Sequence, residues 1–316
     1  MALYNWENEL PFPQKPSSGE TLMTEKKLKS YCALIAAMLI FGTIGIFRRF
    51  IPLSSGVLAF ARGLLGSAFL SVFMRVSRCS AERIGGKTLL LLVLTGALIG
   101  FNWIFLFEAY NYTSVATATM CYYMQPTIVI LLSPLFLHER LTRRRLLCAA
   151  AAVAGMILVS GITDEAATGA RDLTGVLFGL GAAALYAAVV ILNKKITLDD
   201  AYRRTTIQLI SAAVTLLPYL LLTEDFSAIR LDARSIAMVL FVGAVHTGLA
   251  YALYFGGMKR LKAQSIAVLG YIDPVFALLL SAAVLHESLS LIALLGAALI
   301  IGSALVSELA PERKAA

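Results

Sequence analysis

The sequence predicts an all-α integral membrane protein with ten transmembrane helices in two inverted five-helix repeats, and three observations carry that prediction. Of 316 residues, 59% are apolar and 15% charged, whereas a soluble globular chain has about 25% charged residues. A soluble chain of this length cannot bury that much apolar surface, so its solvent is lipid. The chain also repeats itself: residues 123–141, YMQPTIVILLSPLFLHERL, return 148 positions later as YIDPVFALLLSAAVLHESL. Finally, Lys and Arg alternate between dense and sparse segments along the chain.

In the repeat, Tyr123, Pro126, Ser133, His138 and Glu139 return as Tyr271, Pro274, Ser281, His286 and Glu287. Apolar runs coincide easily because they draw on few residue types. A Tyr, a Pro and a His-Glu pair in one register do not, and a long internal repeat sets the whole fold.

Residues 1–29 are polar, with Pro11, Pro13 and Pro16, and lack the apolar stretch of a signal peptide. They are expected to be a disordered cytoplasmic extension. Apolar spans follow at 31–47, 55–74, 88–109, 115–136, 146–162, 173–192, 205–223, 236–257, 265–285 and 290–307. Each is near the roughly 20 residues a helix needs to cross a bilayer. Runs such as TLLLLVLTGALIG do not alternate, which argues against a β-barrel. The expected division is a first repeat over 30–163, a second over 164–308 and a short cytoplasmic tail at 309–316.

Of 27 Lys and Arg, 21 fall in the termini and alternate inter-span segments, 5 fall in the other segments, and Arg62 lies inside a span. By the positive-inside rule both termini are cytoplasmic. Five spans per repeat is an odd number, so the halves insert in opposite senses. His138-Glu139 is then cytoplasmic and His286-Glu287 external. The flanks agree, HERLTRRR being basic and HESLSLIA not. Inverted repeats are typical of secondary transporters. The basic excess, net charge +8, is a topology signal and does not indicate nucleic acid. The four Cys form no CxxC pair, so no disulfide framework or zinc site is expected.

The 5+5 plan, the run NWIFLFEAYNYTSVATATMCYYMQP from Asn102, the prolines of spans four and nine and the Glu-Arg-Leu after span four together resemble the EamA family of the drug/metabolite transporter superfamily. The resemblance covers nearly all of residues 31–307. It implies helices arranged around a central cavity lined mainly by spans 1, 3, 4, 6, 8 and 9. Members move amino acids, nucleosides, sugars, related metabolites or drugs, often outward. His-Glu-Ser stands at 286–288 where the family pattern has Gly-Glu-Arg, which argues against a functional role for Glu287. The expected location is the bacterial cytoplasmic membrane.

Asp273 is the sharpest single signal. It lies roughly 13 Å into span nine by helical rise. A carboxylate there must face protein or a wet cavity. It can meet a substrate amine, a proton or Na⁺, or serve as a structural acid. Its repeat mate is Gln125. Both precede a proline, and Pro126 and Pro274 interrupt their helices. Matching interruptions in two halves point to a binding site. His246, mid-span, is a candidate proton relay to Asp273 or a packed core histidine. Arg62 either meets a substrate carboxylate or forms a structural ion pair with Glu108, and the pair is favoured. Asn102, Trp103, Tyr186, Tyr251 and Tyr271 are candidate wall residues, as is Tyr254. Gly96-x-x-x-Gly100 and Gly175-x-x-x-Gly179 predict close helix contacts. The Ala run 149–154 suits packing within the bundle or at a homodimer seam.

No metal site or cofactor is expected, and no ATP-binding motif is present. The reading is a non-ATP transporter, driven by ion coupling or by facilitated flow, whose partners are the bilayer, a small-molecule substrate and, in the coupled version, H⁺ or Na⁺. A membrane enzyme would need clustered acids or a nucleophile with its base, and no HExxH or GxSxG occurs. A receptor would need a signalling domain, and the longest polar segment is the 29-residue tail.

Overall fold

The computed structural model describes residues 18–77, 84–136, 141–160, 170–227 and 232–309. Cys79, the His138-Glu139 pair and the extreme ends of both tails lie outside the described residues. Among the described residues the regular structure is helical throughout. Eight helices are long and apolar enough to cross a membrane. They are α1 (Lys26–Phe50), α2 (Ser55–Val76), α3 (Gly86–Tyr112), α4 (Val115–Phe136), α6 (Arg171–Asn193), α7 (Ala201–Thr223), α8 (Ala233–Met258) and α9 (Val268–Leu285). The remaining two expected spans are helical as well. α5 (Arg143–Ser160) opens on three arginines, and α10 (Leu291–Leu309) has a shorter apolar stretch, Leu291–Ser307.

One expectation needs correction. Helix begins at Ser18, not at residue 31, so the tail is helical over its last turns. The segment ETLMTEKKLK is rich in Leu, Lys, Met and Glu, all good helix formers. Elsewhere the starts follow the local chemistry. Ser54, Ser114, Asp200 and Asp232 each accept a hydrogen bond from a backbone N–H in the first turn of the helix they precede.

The helices pack in a pattern that is unchanged when the halves are exchanged. α1 packs on α8 and α3 on α6; α2 packs on α8 and α3 on α7; α1 packs on α9 and α4 on α6. α2–α7, α4–α9 and α5–α10 are each their own counterpart under that exchange. Small residues set these crossings. A Cβ on Gly96 or Gly100 would meet α7, and one on Gly179 would meet α4. Gly155 and Gly296 face each other's carbonyls across α5 and α10. Ala149 and Ala152 are buried, so this side of the alanine run packs within the bundle. Phe107, Leu58 and Leu216 are fully buried in the centre, whereas Leu222 and Leu291 are 87% and 79% exposed on the outside. That inversion suits a lipid solvent.

Candidate functional site

Four helices lose their regular hydrogen bonding, and they do so around one point. α4 is interrupted between Val115–Tyr122 and Gln125–Phe136. The chain entering α9 is interrupted at Tyr271, between Ala263–Gly270 and Ile272–Leu285. The breaks fall at repeat-equivalent positions, and the Tyr123 and Tyr271 rings lie against each other, centroids 6.4 Å apart. α1 breaks at Thr43, between Gly42 and Ile44. A Cβ on Gly42 would sit 2.8 Å from the Asp273 carbonyl, so only glycine lets α1 approach α9 there. α8 is π-helical over Val242–Leu249, and such segments cluster at functional sites.

A cavity of about 510 Å³ fills the space between these breaks, within the roughly 300–1,000 Å³ of small-molecule sites. Its walls come from α1, α3, α4, α6, α8 and α9, as the family resemblance implies, with Arg62 added from α2. Asp273, Gln125, Pro126, Trp103, Tyr186, Tyr251, Tyr254 and Tyr271 all line it. Tyr123 also lines it and donates its hydroxyl proton to Asp273 Oδ2 at 2.7 Å. Among the described residues no Lys, Arg or His pairs with Asp273. The repeat register already marked Tyr123, but only the fold places it against the second repeat's carboxylate.

Two expected wall residues stand elsewhere. Asn102 is fully buried behind the wall, where Nδ2 donates to the Ala182 carbonyl at 2.6 Å and ties α3 to α6. His246 is 1% exposed and is not part of the cavity wall. Its Nε2 is 2.6 Å from Thr43 Oγ1. Thr43 directs its hydroxyl to the Ile40 carbonyl at 2.7 Å, an arrangement that matches the tautomer with the proton on Nε2. Nδ1 has no partner. The ring packs edge-on to Phe47 and Phe241. His246 therefore pins the α1 break to the π segment, and this geometry offers no relay to Asp273. His246→Gln, which keeps a donor toward Thr43, is expected to leave the pH profile of transport unchanged; a shifted profile in proteoliposomes would restore the relay.

The Arg62–Glu108 pair does not form. Arg62 Nε donates to Thr247 Oγ1 at 3.0 Å, and its guanidinium lies 4.2 Å from the Trp103 ring centroid. Glu108 instead accepts from Asn111 Nδ2. Thr247 lies in the π-helical segment of α8, a placement that hydropathy does not reveal.

The EamA-like transporter family matches residues 28–161 and 173–308, one copy of its pattern in each half. The chain belongs to the EamA-like transporter family. This member is 28% identical to the uncharacterized transporter YxxF of Bacillus subtilis over 262 residues, 82% of this chain and 83% of that one. It is 30% identical to the uncharacterized transporter YojE of the same organism over 67% of each chain. Protein RarD of Salmonella typhi is 27% identical over 62% of this chain and 64% of its own. A solved crystal structure superposes with a TM-score of 0.62, covering 90% of this chain and 98% of that one at 21% identity, which is a likeness of fold. The EamA-like chain is thus a multi-pass integral membrane protein of a transporter family.

Within this EamA-like fold, Glu287 has a structural task. Its carboxylate accepts from the backbone N–H groups of Val115 and Ala116 at 2.9 and 3.3 Å, capping the first turn of α4. Arg49 Nη2 stands 3.4 Å from the same carboxylate and donates to the Thr113 carbonyl at 2.7 Å. One side chain thereby ties the ends of α1, α4 and α9. The hold depends on His286, which ends α9 in the left-handed region at φ 54 and lets the Glu287 N–H reach the Ser281 carbonyl at 3.1 Å. A glycine at this position would carry no Cβ penalty there. His286→Gly is expected to stabilise the fold by about 1 kcal/mol, read as a higher melting temperature in detergent.

Proposed function

We propose that this chain is a secondary transporter that moves a small metabolite, an amino acid or an amphipathic cation, outward across the bacterial cytoplasmic membrane. Ten helices span the bilayer, five per repeat, with both termini cytoplasmic. The residues divide as 30–163 and 164–308. Five spans per half and basic flanks on alternate segments support opposite insertion. Transport then proceeds by alternating access as one half rocks against the other.

The observation that carries the reading is Asp273. A carboxylate without a cationic partner stands in a cavity where interrupted helices from both halves meet. Holding that charge at this depth costs about 2.5–3.5 kcal/mol on insertion scales. A cargo amine, a proton or Na⁺ would offset the cost. Either use makes the site change charge as it changes sides, which couples an ion to movement. The phenols around it, Tyr123 foremost, supply hydrogen bonds that either state of the acid can use.

Counterflow in proteoliposomes tests this. Unlabelled amino acids, organic acids, nucleosides, sugars and cationic drugs are loaded inside, and labelled members of each class are added outside. Entry of one class only, stimulated by a pH or Na⁺ gradient, is the expected result. No exchange in any class from monodisperse protein overturns transport as the function.

A further inference from the structure

The cavity holds a second buried charge. Arg62 is 5% exposed and lines the same cavity as the α4 and α9 breaks. Its position is built from three sides. Trp103 and Phe107 present their rings at 4.2 and 5.4 Å from the guanidinium carbon, and Thr247 takes the Nε proton at 3.0 Å. Thr247 is held in turn by a 3.4 Å bond to the Val242 carbonyl within the π-helical segment.

A guanidinium has five N–H donors, and the protein uses one. The four on the Nη nitrogens have no acceptor among the described residues, and no carboxylate there pairs with Arg62. Nor are these nitrogens sealed among the buried orphans; they open onto the cavity. Burying a cation without an anion costs several kcal/mol, and ring faces return about 2 kcal/mol. The ring contacts fix the plane of the group, and the free Nη edge is the one that grips a carboxylate with two parallel bonds.

We infer that Arg62 anchors the carboxylate of the transported molecule, so that the cargo is a carboxylate-bearing metabolite. This rests on the transporter reading and narrows it, removing amphipathic cations, sugars and nucleosides, which leave the guanidinium without an anion. Among the described residues Arg62 is the one Lys or Arg in the wall, which matches one negative charge and fits a phosphate dianion poorly. With Asp273 in the same cavity, an amino acid leaves the site neutral, and a simple acid does so once Asp273 is protonated.

The test reads binding apart from transport. Trp103 is one of two tryptophans, so Trp6→Phe in the full chain makes the residue beside Arg62 the sole tryptophan, excited selectively at long ultraviolet wavelength. The probes are matched trios in detergent: L-phenylalanine with 3-phenylpropanoate and phenethylamine, and L-leucine with 4-methylpentanoate and isopentylamine. In each trio that binds, the two carboxylates are expected to change Trp103 emission. Arg62→Gln should weaken them at least about tenfold, with Arg62→Lys intermediate and the amine unaffected by either. Arg62→Lys also keeps the test open should the glutamine variant fail to fold. Amine binding alone, carboxylate binding insensitive to Arg62, a response to chloride only, or no response to any probe at millimolar concentration each overturns the inference. Carboxylates that bind through Arg62 yet never cross in proteoliposomes would sink the transporter reading and leave the binding site standing.

Discussion

Asp273→Asn should fold and insert normally while losing ion-driven accumulation of cargo. The amide oxygen can still accept the Tyr123 hydroxyl, whose bond to Asp273 Oδ2 is 2.7 Å, so the α4–α9 junction keeps its contact. What disappears is the group that can gain or lose a charge. If Asp273 carries the coupling proton or Na⁺, gradient-driven uptake falls to the level of passive exchange and counterflow survives. If it holds a cargo amine, counterflow falls as well, by at least about tenfold, because removing one partner of a buried charge pair costs about 2–5 kcal/mol. Both rates are read from the same proteoliposomes. Accumulation that keeps its wild-type dependence on pH and Na⁺ would take Asp273 out of coupling.

The second large effect is on folding. Gly96→Val should give little monodisperse protein, with a loss of about 3 kcal/mol or more. A Cβ at Gly96 would lie 2.5 Å from both the Gln208 carbonyl oxygen and the Ser211 Cβ, so α3 and α7 would have to separate. That separation also strains a buried polar link, since Gln208 Nε2 is 2.8 Å from Thr95 Oγ1 and 2.8 Å from Asn193 Oδ1. In lipid, helices associate through close packing and interhelical hydrogen bonds, and this site loses both. Gly302→Ala is the control, because a Cβ there meets nothing within 4 Å. A Gly96→Val protein that melts with wild type would show that the α3–α7 crossing tolerates separation.

Much of the architecture was legible from residues alone because lipid imposes simple rules. Backbone groups must bond within their own segment, so apolar runs of about 20 residues become helices. The repeat register located the interruptions before Gln125 and Asp273, and the structure breaks its helices within two residues of them. Proline chemistry is local, because the missing N–H acts on a carbonyl four residues earlier in the same helix. Small-residue spacing likewise marked Gly96, Gly100 and Gly179 as contact points, though not which helix each would touch.

Composition, hydropathy and the doubled motif by themselves determined a membrane bundle in two related halves with an acid near its centre. The three-dimensional packing alone decided which polar residues face the cavity. Asn102, His246, Arg62 and Asp273 all read as polar groups at mid-span, yet Asn102 braces α6, His246 holds the α1 break, and Arg62 and Asp273 reach the cavity. The difference lies in helix rotation and in the π-helical turn of α8, which shifts the register by a fraction of a turn. Periodicity along one helix carries no information about its neighbour's face, so partners such as Thr247 for Arg62 and Tyr123 for Asp273 exist only once the helices are packed.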